Sequence, residues 1–115
     1  MSLKNYKLEF TESAKNDLKN FKMYILKQFK YKKYGDNFDL KMQGAYKFIK
    51  TINNHIKPLK IKYRGYDVYF LSYKTYLFFY IVDDEQRIIT IFRVMQEGMN
   101  WTSILFNWIS YNHNI

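Results

Sequence analysis

The stretch Tyr76-Leu77-Phe78-Phe79-Tyr80-Ile81-Val82-Asp83-Asp84 is apolar or aromatic for seven positions and then turns acidic. A strand with no polar face belongs in the centre of a sheet, with a helical layer covering it. The stretches on either side, Tyr66–Tyr73 and Arg87–Met95, are rich in β-branched and aromatic residues and read as its partners. Lys74-Thr75 suits a two-residue hairpin, and Asp83-Asp84-Glu85-Gln86 a longer turn. Three antiparallel strands in succession are therefore expected.

Upstream, Tyr6, Leu8 and Phe10 alternate with Lys7 and Glu9, which predicts a strand buried on one side. Thr11 is placed to cap a helix, with Glu12 at the positive end of its dipole. Ala14, Leu18, Phe21, Ile25 and Phe29 form one apolar stripe at helical period, with Lys15, Lys19 and Lys22 on another face. Gly35 and Asp36 interrupt that pattern and offer a cap for a second helix. Its stripe, Phe38, Met42, Ala45, Ile49, Ile52 and Ile56, ends at Pro58, which cannot donate the helical hydrogen bond. A short loop between the two predicts an antiparallel helical hairpin. Lys57–Gly65 then reads as a basic connector; if extended, Lys60, Lys62 and Arg64 share one face and Leu59, Ile61 and Tyr63 the other.

Downstream, Gly98 ends the strand pattern, and Trp101, Ile104, Leu105, Trp108 and Ile109 form the apolar face of a last helix. The tail from Ser110 is expected to fray. The order β-α-α-β-β-β-α predicts an α+β fold with the helices collected on one face of the sheet.

A chain of 115 residues suits one domain, spanning 1–115, and can bury roughly two-thirds of its unfolded surface. With no cysteine, disulfides, thiolate zinc sites and cysteine nucleophiles are excluded. Hydrophobic residues at 48% argue against disorder. The longest apolar runs fall far short of the roughly 20 residues of a membrane span, and residues 1–6 lack a signal-peptide core. A cytoplasmic protein is the expectation. Nineteen basic against ten acidic residues leave a formal +9, which points to a polyanion or an acidic protein partner. A solvated lysine-rich surface is the plain alternative.

Few residues have the spacing of catalytic machinery. His55 and His113 are far apart and stand in no metal motif, so neither metal nor cofactor is expected. Asp83, Asp84 and Glu85 suit a solvated turn. The four scattered glycines make no phosphate-cradling loop, and no serine lies in a nucleophile elbow. Polyanion binding has more support. Lys60, Lys62, Arg64, Arg87 and Arg93 are interleaved with Tyr63, Tyr66, Tyr69, Tyr73 and Tyr76, so guanidinium groups could hold phosphates while rings stack on bases. Ordinary strand packing explains the tyrosines equally well. Arg93 stands inside an otherwise apolar strand, where it must meet solvent, a buried carboxylate or a functional groove.

Three motifs carry a family resemblance. Phe10-Thr11-Glu12-Ser13-Ala14-Lys15-Asn16-Asp17-Leu18 is similar to F-T-x-x-A-x-x-D-L of the RelE/ParE superfamily of type II toxin–antitoxin toxins, also called plasmid stabilisation proteins. The stretch Tyr76–Asp84 resembles its Y-x-x-x-Y-x-V-D-D, and Ile91–Trp101 its I-x-R-V-x-H-x-x-x-D-W. The resemblance implies a toxin that arrests growth while an acidic antitoxin holds it inactive. RelE-like members cleave mRNA on the ribosome, whereas ParE-like members inhibit DNA gyrase and are not nucleases.

RelE-like ribonucleases place lysines on the strand matching Tyr66–Tyr73 and an arginine after the tyrosine matching Tyr76. Here Val68, Phe70 and Leu77 stand in that region, and the last strand ends Met95-Gln96-Glu97-Gly98. Cleavage needs a base for the 2′-hydroxyl and stabilisers for a crowded phosphorane, and valine, phenylalanine, leucine and glutamine supply neither. Arg93, nearby lysines and Glu97 remain, enough to bind phosphate but thin for catalysis. The resemblance therefore leans ParE-like, with Arg93, Arg64, Lys60, Lys62 and Trp101 expected at the target. Arg93, Glu97, Lys60 and Lys62 are the candidates if the chain is a nuclease. A toxin that has lost activity and only binds its antitoxin is a third reading. Opposite charge would speed the antitoxin's encounter, and Trp101, Ile104, Leu105 and Trp108 could be covered by it, though core packing explains them as well.

Overall fold

The computed structural model describes residues 6–51 and 58–113. In chain order these form β1 (Lys7–Phe10), α1 (Glu12–Phe29), α2 (Lys32–Thr51), β2 (Leu59–Tyr63), β3 (Tyr66–Tyr73), β4 (Tyr76–Asp83), β5 (Ile88–Gln96) and α3 (Trp101–His113). The strands make one sheet in the order β1-β5-β4-β3-β2. β4 is central, as its unbroken apolar run requires. β1 lies parallel to β5, and β2 to β5 run antiparallel in sequence.

Two expectations are corrected here. The basic connector is a strand: β2 pairs with β3, so the meander has four strands rather than three. Its alternation had the right period, with Lys60 and Lys62 exposed, Leu59 and Ile61 half-buried and Tyr63 buried. The lysines suit an outer edge, because charge there discourages pairing with another chain. The helices also do not share one face. α1 and α2 cover one side, over Tyr76, Phe78, Tyr80, Ile89, Ile91 and Val94. α3 crosses to the other and closes a second core over Val68, Leu77, Phe79, Ile81, Phe92 and Met95. A central strand apolar on both faces demands a cover on both.

Boundaries move as well. The break between the helices falls at Lys30-Tyr31, where Lys30 takes φ 61°, not at Gly35-Asp36. Gly35 is buried inside α2 and lets α1 approach: a Cβ there would stand 2.9 Å from Leu26 Cδ2. In the α1 stripe Ala14 is buried, but Phe29 at its end is 51% exposed. Phe38, Met42, Ala45 and Ile49 of the α2 stripe are buried. Ile52, His55, Ile56 and the expected stop at Pro58 concern a segment, 52–57, outside the described residues. α3 continues past Ser110 to His113.

The turns are those the sequence suggests. Lys74 and Thr75 both have positive φ, 51° and 73°, matching the twist of a two-residue hairpin. In the β4–β5 turn, Asp83 Oδ1 accepts from the backbone N–H of Glu85 and Gln86 at 3.1 Å each. Gly98, at φ 95°, turns the chain from β5 into α3.

Candidate functional site

β5 carries one irregularity, and the candidate site is built around it. Phe79 pairs with Arg93 but Tyr80 with Ile91, so Phe92 is an extra residue in β5. Before this bulge Ile89 and Ile91 face the helical hairpin. After it Val94 does, while Phe92 and Met95 face α3.

The start of α1 is fastened to this bulge. Thr11 Oγ accepts from the N–H of Ala14 at 3.2 Å, capping the helix, and donates to the carbonyl of Phe92 at 3.0 Å. Ala14 is fully buried, its small side chain letting α1 lie close to the sheet. One turn on, Asp17 faces Arg93. Arg93 Nε donates to Asp17 Oδ2 at 2.8 Å and Nη2 to Oδ1 at 3.1 Å, a bidentate pair with each side chain 16% exposed. The backbone N–H of Val94 donates to Oδ2 as well, at 2.9 Å. Of the surroundings open to Arg93 in the sequence, the structure selects a carboxylate, one that is half-buried rather than buried.

The other side of the guanidinium meets α3. Arg93 lies over the Trp108 ring at 5.2 Å. Trp108 stacks with Tyr63 and Phe92, whose rings are 4.0 Å apart and nearly parallel. Arg64 covers Tyr63 at 5.0 Å. Burial pushes the Tyr63 hydroxyl pKa up, and the charge of Arg64 partly offsets it. Two cations are thereby placed around an aromatic stack drawn from β2, β5 and α3. An open cleft of about 430 Å³ runs beside it, lined by Glu9, Thr11, Glu12, Ser13, Arg64 and Trp108.

The remaining expected residues are spread out. Lys60 is exposed, and Lys62 pairs with Asp67 at 3.1 Å, also exposed. Glu97 is exposed and accepts from Ser72 Oγ at 2.8 Å. Trp101 packs at the other end of α3 against Phe70 and Phe79. Leu105 is fully buried, whereas Ile104 is 37% exposed. The structure thus joins Arg93, Arg64 and Trp108, and does not bring Glu97, Lys60 or Lys62 into a described contact with them. The tyrosines are mostly core residues: Tyr63 and Tyr76 are buried, Tyr69 stacks on Tyr80, and Tyr66 at 40% exposure is the open one of the five. Among the described residues there is no cluster of three metal-ligating side chains, and no helix is long and apolar enough to cross a membrane.

Asp17 received no role from the sequence, though it lies within the Phe10–Leu18 motif. A signal was present: it is a carboxylate one helical turn from the buried Ala14, and Arg93 is the charge inside the β5 stretch. In the fold the first and third motifs are one contact.

The architecture is that of solved toxins. A chain of the chromosomal ParDE toxin–antitoxin system from P. aeruginosa superposes with a TM-score of 0.63 at 15% identity, covering 79% of this chain and 95% of the other. The toxin–antitoxin complex RelBE2 from Mycobacterium tuberculosis gives 0.57 at 21% identity, covering 85% and 98%. The isolated E. coli RelE toxin gives 0.50 at 18%, covering 90% and 98%. These likenesses define the class, a RelE/ParE-type toxin fold. No curated protein sequence matches. Residues 8–101 match the family described as the ParE toxin of type II toxin-antitoxin system, parDE, and the chain belongs to that family.

Proposed function

We propose that this toxin arrests growth by acting on DNA gyrase, as a ParE-like protein, and does not cut mRNA. The observation that carries the reading is the fate of the sheet face where RelE-like ribonucleases are expected to hold cations. Val68 and Leu77 are buried there, and Phe70 packs under Trp101, all within the core closed by α3. A phosphate cannot be held by side chains sealed in an apolar layer. Arg93, the strongest remaining candidate, has its guanidinium engaged by Asp17 and Trp108. Arg64, Trp101 and the β2 lysines Lys60 and Lys62 supply the target surface, and Arg93 supports the Arg64 end of it through the Trp108–Tyr63 stack.

The partner is an acidic antitoxin. The toxin's +9 charge and the partly open apolar residues of α3, Ile104 and Phe106, suit such a protein. Leu105 can meet it only if α3 lifts from the sheet.

Supercoiling by purified gyrase, run beside mRNA cleavage on programmed ribosomes, tests the reading. Inhibition of supercoiling with intact mRNA is expected. Cleaved mRNA with unaffected supercoiling would overturn it.

A further inference from the structure

The charge of this protein is not spread evenly. Residues 19–35 hold six lysines and no carboxylate, two-thirds of the net +9. They form the second half of α1, the turn at Lys30-Tyr31 and the first turn of α2, which is the tip of the helical hairpin. Lys22 is committed to Asp39 at 2.7 Å. Among the described residues no carboxylate pairs with Lys27, Lys30, Lys32 or Lys33, all exposed, and Asp36, also exposed, pairs with none of them.

Aromatic rings stand among these lysines. Phe29 stacks on Tyr34 at 4.7 Å, and Tyr31 is tilted against Tyr34 at 6.4 Å. Lys33 lies over the Tyr34 ring at 5.3 Å. Phe29 is 51% exposed and Tyr31 66%, so ring faces are open beside free cations. Lys32 and Lys33 also open α2, whose first turn holds no acidic residue. Cations at the positive end of a helix dipole repel it, and an anion docking there relieves both.

We propose that the hairpin tip is a binding site for single-stranded nucleic acid, with Lys27, Lys30, Lys32 and Lys33 on phosphates and Tyr31 and Phe29 as stacking platforms for bases. Lysines alone would accept any polyanion. The open rings select a strand whose bases are unpaired, because every base offers a π-face and a duplex hides it. The site lies on the hairpin side of the molecule, apart from the Arg64 and Trp108 cleft, and does not depend on the gyrase reading.

Anisotropy of a labelled 20-nucleotide single strand, titrated with the full chain at several salt concentrations, tests it. The variant Lys27→Ala/Lys32→Ala/Lys33→Ala should weaken binding and reduce the log–log salt slope by about 2, three lost phosphate contacts at about 0.7 each. Tyr31→Ala should weaken binding about five-fold or more with the slope unchanged. Both changes are at exposed positions, and circular dichroism checks the fold. Lys60→Ala/Lys62→Ala should bind nearly as the parent does, and the matching duplex more weakly than the strand. Loss of binding in the Lys60/Lys62 variant alone would move the site to β2 and overturn the proposal. So would a duplex bound more tightly, poly-L-glutamate competing equally with Tyr31→Ala silent, or binding to phosphatidylserine vesicles without binding to the strand.

Discussion

Asp17 on α1 grips the guanidinium of Arg93 on β5, 76 residues later in the chain, through two hydrogen bonds of 2.8 and 3.1 Å. Its Oδ2 also takes the Val94 N–H, so one carboxylate fixes both a side chain and the backbone beside the β5 bulge. With Thr11 bonded to the Phe92 carbonyl, the first turns of α1 are tied to this strand at successive points. Trp108 then lies on the fixed guanidinium, which couples the hairpin side of the sheet to α3.

Removing the carboxylate should be costly, because it leaves a half-sheltered guanidinium and a backbone N–H without their acceptor. Asp17→Ala is expected to lose about 3 kcal/mol of stability in urea unfolding. Arg93→Ala should lose somewhat less, since Val94 still satisfies the carboxylate. The double variant should fall short of the sum by about 1 kcal/mol or more, and additive losses would show that the pair is not coupled.

The same variants separate support from target contact. If Arg93 only supports the surface, gyrase inhibition by Asp17→Asn and Arg93→Gln should fall in step with their stability. Inhibition lost in Arg93→Gln at a temperature where both variants are folded would make Arg93 a direct contact.

Alkali should destabilise the fold earlier than ordinary tyrosines would allow. Burial pushes the pKa of Tyr46 and of Tyr80 from 10.0 up to about 12. Below pH 10 both are protonated in either state and stability is unaffected. Between pH 10 and 12 the unfolded chain releases these protons while the folded chain keeps them. Stability should fall there by about 1.4 kcal/mol per pH unit for each group. Urea midpoints from pH 9 to 12 check this. The other buried tyrosines whose pKa is raised, Tyr63 and Tyr76, add to the same fall. Tyr46→Phe should remove only its own share, about 1.4 kcal/mol per pH unit.

The β3–β4 hairpin offers a gain. Thr75, β-branched, is held at φ 73° and Lys74 at φ 51°. Such backbone costs an L-residue about 1–2 kcal/mol, and glycine avoids most of it. Lys74→Asn/Thr75→Gly should raise stability by about 1 kcal/mol, read as a higher melting temperature. An unchanged or lower value would refute it.

Charging the α3 core should unfold the protein rather than create a nuclease. Leu77 is 4% exposed beneath α3. Leu77→Arg should lose about 3 kcal/mol or more, because an unpaired cation has no water or carboxylate there. A folded variant that cleaves mRNA would show that this face opens readily.

Much of the fold is visible in local pattern. The alternation in β1 and β2, the helical stripes of α1 and α2 and the turn residues at Lys74-Thr75 are set by neighbours a few positions apart, which is the range over which sequence period reports burial. The family motifs were visible too, and through them the toxin class. Periodicity says that a face is buried, but not against what. It could not place α3 opposite the hairpin, recruit Leu59–Tyr63 to the sheet, or turn Tyr63 from a ring offered to bases into the floor beneath Trp108. Nor could it give Asp17 its partner. Those outcomes depend on which elements meet across the sheet. They were decided by packing in three dimensions, where a strand apolar on both faces needs two covers and a guanidinium among apolar side chains needs a carboxylate.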